Sequence, residues 1–181
     1  MSVIQLSHGG GGKHTEKLLK RVFLNSYNNN ILSDMEDSAI IDCKKSNLAF
    51  TTDSYTIDPI FFSGGDIGKL SICGTVNDLL MRGAKPLFLS ASFIIEEGFE
   101  ISKLQTITKS MARACEEAGV TIVTGDTKVV EKGKADKVFI NTSGIGVITS
   151  GTHISIKRAR PGDVVIISGT IGDHGMSIIS T

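Results

Sequence analysis

The apolar positions along the chain follow two periodicities, one typical of helices and one typical of strands. Residues 14–23, the residues after Asp66 and the residues after Ser102 carry apolar side chains three or four positions apart, which predicts three amphipathic helices. Ser102 with Gln105 predicts a capping box at the start of the third helix. Gly119 follows the third pattern, as a glycine that ends a helix commonly does.

Short runs of apolar and β-branched residues alternate with these helices and predict strands. They cover residues 38–42, 48–52, 86–95, 120–124, 138–148 and 164–168. This alternation favours an α/β layered domain in which a mixed β-sheet packs against helices. The turn Arg160-Pro161-Gly162-Asp163 indicates a domain boundary. We therefore expect an N-terminal arm and helix (1–40), an α/β domain (41–158) and the incomplete beginning of a second α/β domain (159–181).

Composition and charge exclude several classes of function. The 19 basic and 19 acidic residues balance, so the chain lacks the positive charge that holds a nucleic-acid backbone. No apolar run reaches the roughly 18 residues of a membrane span, and the N-terminus lacks a secretory signal pattern. Three scattered cysteines, Cys43, Cys73 and Cys115, form no CxxC pair. We expect a cytoplasmic protein with reduced thiols that binds neither nucleic acid nor membranes.

The glycines at positions 9–12, followed by Lys13, suggest a phosphate-binding loop, but their spacing does not fit one. The P-loop pattern requires glycine six positions before the lysine, where this chain has Ser7, and Ser or Thr after it, where this chain has His14. A glycine loop before a helix is still able to hold an anion through its backbone N–H groups. A flexible arm is the alternative.

Four aspartates stand at positions that favour a ligand site. Asp53 and Asp126 each follow a predicted strand, and Asp37 comes just before one. Asp78 lies next to Asn77 in an otherwise apolar helix. Ligands of α/β sheets tend to bind beyond the carboxyl ends of strands, and Mg²⁺ with a nucleotide phosphate would join converging carboxylates. Solvated loop residues or helix caps are the alternative, which spacing alone favours.

A series of short motifs runs in order along nearly the whole chain. They include Asp53-Ser54-Tyr55, Phe61-Phe62-Ser63-Gly64-Gly65-Asp66-Ile67-Gly68, Gly74-Thr75-Val76-Asn77-Asp78-Leu79, Glu96-Glu97-Gly98-Phe99, Gly125-Asp126-Thr127-Lys128 and Ile171-Gly172-Asp173-His174-Gly175. Together they closely resemble the HypE family of nickel-iron hydrogenase maturation proteins. The Asn-Asp and Gly-Asp-Thr motifs are shared with a wider superfamily that includes aminoimidazole ribonucleotide synthetase, selenophosphate synthetase and thiamine-monophosphate kinase.

The resemblance implies a synthetase-superfamily N-terminal domain, here residues 41–158, that binds ATP. HypE proteins use ATP to dehydrate a carbamoyl group on their own C-terminal cysteine to a thiocyanate, the source of the cyanide ligand of the hydrogenase iron. The resemblance also implies a homodimer with ATP near its interface, HypF as carbamoyl donor and the HypC–HypD complex as cyanide acceptor. The 181 residues do not include a C-terminal cysteine, so we expect this chain to be inactive by itself.

The resemblance further implies roles for individual residues. Four would bind Mg²⁺ together with ATP, namely Asp37, Asp53, Asp78 and Asp126. Three more would contact the nucleotide, namely Asn77, Gly125 and Thr127. Lys128 would neutralise charge on the transferred phosphoryl group, with an ordinary surface lysine as the alternative. Two other functions stay open: a related ATP-dependent synthetase or kinase acting on a small carbonyl or phosphate substrate, and a non-catalytic module that binds maturation partners.

Overall fold

The computed structural model describes residues 4, 12–27, 30–43 and 46–180, and contacts divide the chain into two compact units. In the first unit, Met1–Glu36, helix α1 (Lys13–Leu18) continues through a π-helical turn (Leu19–Leu24) into the short helix α2 (Asn25–Tyr27). A 3-10 turn follows at Leu32–Asp34. The helix predicted over residues 14–23 is therefore confirmed. Residues 9–11 of the glycine run lie outside the described residues.

A mixed five-stranded sheet is the centre of the second unit, Asp37–Thr181. Its strands are β1 (Ala39–Asp42), β2 (Asn47–Tyr55), β5 (Ala84–Glu96), β6 (Thr121–Val130) and β7 (Val138–Ile148). Their spatial order is β1-β2-β7-β5-β6, and neighbours run antiparallel except for the parallel pair β5 and β6. Two short strands, β3 (Phe61–Phe62) and β4 (Gly65–Asp66), form a separate hairpin. The predicted α/β layered fold is confirmed.

Two helices cover one face of this sheet. Helix α3 (Ile67–Met81) packs on β2, β5 and β7, and α4 (Ile101–Ala118) packs on α3. Asp66 caps α3, because its carboxylate accepts hydrogen bonds from the N–H groups of Gly68 at 2.7 Å and Lys69 at 3.0 Å. The largest fully buried apolar side chains lie between the layers: Ile67, Ile72, Leu79, Leu89, Ile107 and Ile140. The core therefore fixes α3 against the middle of the sheet.

The other face, called the open face below, carries the side chains that alternate away from the helices. Phe50 of β2, Ile145 of β7 and Phe88 of β5 stand opposite one another across three strands. Their side chains are 39%, 40% and 47% exposed, respectively. Polar residues follow in the next rows, with Asn141 of β7 opposite Ser54 of β2. This face combines an exposed apolar row with a polar patch.

The positions of the two strand-end aspartates were predicted wrongly. Strand β2 continues to Tyr55 and β6 continues to Val130, so Asp53 and Asp126 lie inside strands rather than at their ends. Pairing lengthens both strands, since β2 pairs with β7 and β6 pairs with β5. The apolar pattern of a single segment carries no information about the strands that pair with it, so it underestimates the length of β2 and β6.

The predicted capping box is also wrong. Helix α4 begins at Ile101 with Glu100 as its N-cap, and no side chain caps its first N–H groups. Ser102 therefore lies in the first turn instead of before it. The Glu100 carboxylate accepts a hydrogen bond from Lys103 Nζ at 2.6 Å, which leaves it facing solvent.

The segment after β7 contains a 3-10 turn (Ile156–Arg158) and helix α5 (Asp173–Ile179). Residues 164–168 are exposed and form no strand, contrary to the prediction, because a strand needs a hydrogen-bonded neighbour to be stable. Helix α5 contacts the β3–β4 hairpin: Ser177 Oγ donates to the Ser63 carbonyl, and His174 packs edge-on against Phe62 at 5.7 Å. No helix in the described part of the chain has the length and apolarity to cross a membrane.

Candidate functional site

Three of the predicted aspartates come together between the end of helix α3 and the strands β1 and β2. Asp78 lies near the end of α3, Asp53 lies in β2, and Asp37 precedes β1. Thr51 Oγ1 joins two of them, since it lies 3.0 Å from Asp78 Oδ2 and 3.1 Å from the carbonyl oxygen of Asp37. We call Asp37, Asp53 and Asp78 the acid cluster.

Electrostatic repulsion and partial burial act on the Asp78 carboxyl. Burial raises its pKa to about 6, and the charges of Asp53 and Asp37 contribute in the same direction. The hydrogen bond from Thr51 opposes this shift by stabilising the carboxylate. An acid cluster of this kind has a net affinity for protons or for a cation.

A line of hydroxyl groups connects Asp53 to the core. Tyr55 Oη donates to Asp53 Oδ2 at 3.1 Å and lies 3.2 Å from Thr75 Oγ1 on α3. Thr75 Oγ1 lies 2.6 Å from Thr142 Oγ1 of β7, and Thr142 also donates to the Ser71 carbonyl at 3.0 Å. Burial and the nearby Asp53 charge raise the pKa of Tyr55 to about 12, so the phenol keeps its proton. We call Tyr55, Thr75 and Thr142 the hydroxyl relay.

The predicted residues of β6 lie elsewhere within this chain. The register places Asp53, Thr142, Ala91 and Gly125 in one row across the sheet, on the helix-covered face. Asp126 is the next residue along β6 and therefore belongs to the open face. Its carboxylate forms an exposed ion pair with Lys128 at 3.5 Å. The single chain thus brings together Asp37, Asp53 and Asp78, but not Asp126.

The remaining nucleotide-contact candidates flank these two groups. Asn77 is exposed and adjacent to Asp78 on α3, while Gly125 and Thr127 alternate with Asp126 along the edge strand. A side chain at Gly125 would collide with the Ala91 carbonyl oxygen, so close packing of β6 on β5 requires glycine there. The contacts of these residues with a nucleotide stay predictions.

The donor atoms of the acid cluster suit a hard cation. Mg²⁺ prefers oxygen ligands and usually binds through one or two carboxylates, waters and phosphate oxygens. Within the described ranges, no three His, Cys, Asp or Glu side chains are arranged to hold a metal ion by themselves. The cluster therefore fits a cation that arrives with its own oxygen ligands, as a magnesium–nucleotide complex does.

Comparison with known proteins places this arrangement in a family. Residues 35–148 match the family described as AIR synthase related protein, N-terminal domain. The chain belongs to this family. Residues 35–148 include the whole acid cluster, the hydroxyl relay and all of the sheet. The AIR synthase related domain is thus the part of the chain that carries the candidate site.

Proteins named carbamoyl dehydratase HypE are among the relatives of this AIR synthase related domain. The chain is 51% identical to the one from Bradyrhizobium diazoefficiens over 98% of its own length and 51% of that protein. It is 47% identical to the Escherichia coli protein, over 99% of its own length and 55% of that protein. The chain therefore spans about half the length of the curated relatives it matches.

Solved structures agree with these relatives. A HypE–HypF complex matches 90% of the chain and 52% of its own chain with a TM-score of 0.84 and 60% identity. HypE in complex with ATP matches 98% of the chain and 53% of its own chain with a TM-score of 0.73 and 51% identity. Thiamine monophosphate kinase from Aquifex aeolicus shares the fold, with a TM-score of 0.57 at 18% identity over 75% of the chain and 44% of its own.

Several residues of the site were missed by sequence reasoning. Thr51, Thr75 and Thr142 looked like ordinary strand and helix residues, and their contacts depend on how α3 lies on the sheet. Tyr55 offered one local signal: it stands two positions after Asp53 on a strand, so both side chains lie on the same face.

Proposed function

We propose that this chain is the nucleotide-binding part of an ATP-dependent carbamoyl dehydratase in nickel-iron hydrogenase maturation. The observation that carries the proposal is the acid cluster, in a chain about half identical in sequence to proteins named carbamoyl dehydratase HypE. In the proposed reaction, the carboxamide of an S-carbamoyl cysteine loses water and becomes a thiocyanate. The cysteine that carries the carbamoyl group is not among these 181 residues. In this proposal HypF donates the carbamoyl group and the HypC–HypD complex accepts the cyanide.

In this proposal, Asp37, Asp53 and Asp78 bind Mg²⁺ together with ATP. An amide oxygen is a poor leaving group, and ATP supplies the phosphoryl group that makes it a good one. Phosphoryl transfer asks the protein mainly for positioning and for neutralisation of charge. Asn77, Gly125 and Thr127 would contact the nucleotide around this cluster. Binding of a cation would lower the pKa of Asp78, because a cation stabilises the carboxylate form.

We also propose a cytoplasmic homodimer built through the open face. The exposed apolar row of Phe50, Ile145 and Phe88 supports a second copy as its partner, since soluble proteins rarely leave such a patch uncovered. Asp126 and Lys128 lie on the same face. A dimer formed there would have Asp126 and Lys128 close to its interface, where they would act on ATP bound near that interface.

Binding of nucleotide with and without Mg²⁺ tests the proposal. Titration calorimetry on the chain should detect ATP binding that requires Mg²⁺, and Asp78→Asn should weaken it by about tenfold or more, because one ligand charge is lost. Glu116→Gln, an exposed acid of α4, is the matched control and should bind as the wild type does. Equal affinities for wild type and Asp78→Asn would remove the acid cluster from the nucleotide site.

The reaction itself is tested in the longer protein that includes the second domain and a C-terminal cysteine. With HypF, carbamoyl phosphate and ATP, mass spectrometry should find that cysteine first carbamoylated and then dehydrated by one water. Asp78→Asn should retain the carbamoyl adduct and lose the dehydration. A dehydrated adduct formed at the normal rate by Asp78→Asn would contradict the proposed role of this domain.

A further inference from the structure

We propose that Tyr55 is a positioning residue that orients the Asp53 carboxylate toward the bound cation, through the hydroxyl relay. The inference rests on the proposed magnesium–nucleotide site. Its starting observation is the hydrogen bond from Tyr55 Oη to Asp53 Oδ2 at 3.1 Å, at the inner end of the acid cluster. A carboxylate has two oxygens, and a bond that holds one of them leaves the other directed to the ligand.

The charge of Asp53 sets the direction of the relay. An ionised carboxylate only accepts hydrogen bonds, so the single phenol proton of Tyr55 must point at Asp53. The Tyr55 oxygen is then an acceptor, and Thr75 Oγ1 at 3.2 Å is the donor that faces it. The single proton of Thr142 Oγ1 is shared between Thr75 Oγ1 at 2.6 Å and the Ser71 carbonyl oxygen at 3.0 Å, which forms the inner end of the relay. Each hydroxyl thus polarises the next toward the carboxylate.

The inner end of the relay is rigid. Thr75 and Thr142 are fully buried and belong to α3 and β7, the helix and strand that form the centre of the unit. Thr142 is tied in addition to the Ser71 carbonyl at 3.0 Å. Side chains held in this way keep one rotamer. They therefore fix the orientation of the half-buried Tyr55 and, through Tyr55, the orientation of the Asp53 carboxylate.

Gly74 makes room for the phenol. A Cβ at this position would collide with Tyr55 Oη, and the ring carbons Cε1 and Cζ would lie 3.1 Å from it. A glycine in the middle of a helix destabilises it by about 1 kcal/mol relative to alanine. The helix therefore retains an unfavourable residue at the place where the Tyr55 hydroxyl enters the relay.

Three variants separate positioning from simple structural support. Tyr55→Phe removes the hydroxyl, Thr75→Val removes the donor behind it while keeping the shape, and Thr75→Ser restores that donor. The second tyrosine of the chain, Tyr27 in α2, provides the matched control Tyr27→Phe. Circular dichroism and thermal unfolding establish that each variant is folded.

Titration calorimetry then measures ATP with Mg²⁺, and Mn²⁺ in place of Mg²⁺ gives an electron paramagnetic resonance spectrum of the bound ion. Tyr55→Phe and Thr75→Val should weaken metal–ATP binding by about 10-fold or more, as loss of a group that orients a metal ligand does. Both should broaden the Mn²⁺ spectrum. Thr75→Ser and Tyr27→Phe should match the wild type.

The outcomes distinguish a failure of the proposed function from a failure of the positioning role of Tyr55. A wild-type chain that binds no ATP in the presence of Mg²⁺ overturns the proposed function and this role with it. Metal–ATP binding by the wild type that is unchanged in Tyr55→Phe and Thr75→Val overturns the positioning role alone. Equal weakening by Thr75→Ser and Thr75→Val would also overturn it, because the hydroxyl would then not matter. If Tyr55→Phe did not fold, the two Thr75 variants would decide.

Discussion

The Asp78 carboxyl is held where its charge is unfavourable, between partial burial and the charges of Asp53 and Asp37. Its pKa of about 6 in the folded chain exceeds the value of about 3.9 for an unfolded aspartate. Between these values the folded chain binds more protons than the unfolded chain, so the free energy of unfolding falls as pH rises from about 4 to 6. The metal-free protein therefore carries a destabilising charge at neutral pH.

Asp78→Asn should remove this destabilisation. In the absence of metal, the variant should be more stable than wild type at pH 7 by on the order of 1 kcal/mol, a reduced figure because solvent screens a partly exposed group. Below about pH 3 the difference should vanish, since Asp78 is then protonated in both folded and unfolded chains. Thermal unfolding at a series of pH values measures this, with Glu116→Gln as control. Parallel pH profiles for Asp78→Asn and wild type would contradict the argument.

At the residue scale, the sequence identified the acids but not their arrangement. Asp78 was recognised because a charge in an apolar helical run needs a partner, and that reasoning depends only on local pattern. Which other acids meet it depends on strand register: a one-residue difference along β6 separates Gly125, on the helix-covered face, from Asp126, on the open face. The hydroxyl relay joins β2, α3 and β7, so no local pattern contains it.

At the element scale, Asp66 is the clearest link between sequence and stability. It is buried and accepts two hydrogen bonds from the first turn of α3, and this helix carries Thr75, Asn77 and Asp78. Asp66→Ala should lower the free energy of unfolding by about 1 to 2 kcal/mol, because the capped N–H groups lose their acceptor. Urea unfolding followed by circular dichroism measures this change.

Asp66→Asn is the matched variant for this cap. An asparagine oxygen caps almost as well as a carboxylate, so most of the stability should return. A loss as large as that of Asp66→Ala would indicate that the charge of Asp66 matters more than the cap.

Helices and the central strand were predicted more accurately than the outer strands. The apolar pattern gave β7 its observed limits, Val138–Ile148, and placed α3 directly after Asp66. Strand β7 is buried on the helix side along its length, so the apolar pattern of its own residues covers the whole strand. Strand β6 lies at the edge of the sheet with exposed side chains, and its length comes from its pairing with β5. Residues 164–168 have the composition of a strand, but no neighbouring strand among the described residues pairs with them.

For the whole molecule, the open face sets the expected assembly. Ile145→Glu would introduce a charge into the middle of the apolar row between Phe50 and Phe88. If two copies meet there, sedimentation at micromolar concentration should find a dimer for the wild type and a monomer for Ile145→Glu, since an unpaired charge in an apolar interface is costly.

Ile101→Glu is the control for this experiment. Ile101 is 73% exposed at the start of α4, on the helix side of the sheet, so its replacement should leave the dimer intact. A monomeric wild type, or a dimer unaffected by Ile145→Glu, would contradict assembly through the open face.

The contact between Gly74 and the Tyr55 hydroxyl makes the effects of substitutions at these two positions depend on each other. Gly74→Ala alone should destabilise the fold, because the new methyl group meets Tyr55 Oη. Combined with Tyr55→Phe, the same change should destabilise the fold less, since the oxygen is gone and only the ring carbons Cε1 and Cζ remain near the new methyl group, at 3.1 Å, while alanine favours a helix by about 1 kcal/mol. A double-mutant cycle of unfolding free energies measures this coupling. The phenol oxygen therefore limits which residues can replace Gly74, and loss of the phenol makes alanine at this position easier to accommodate.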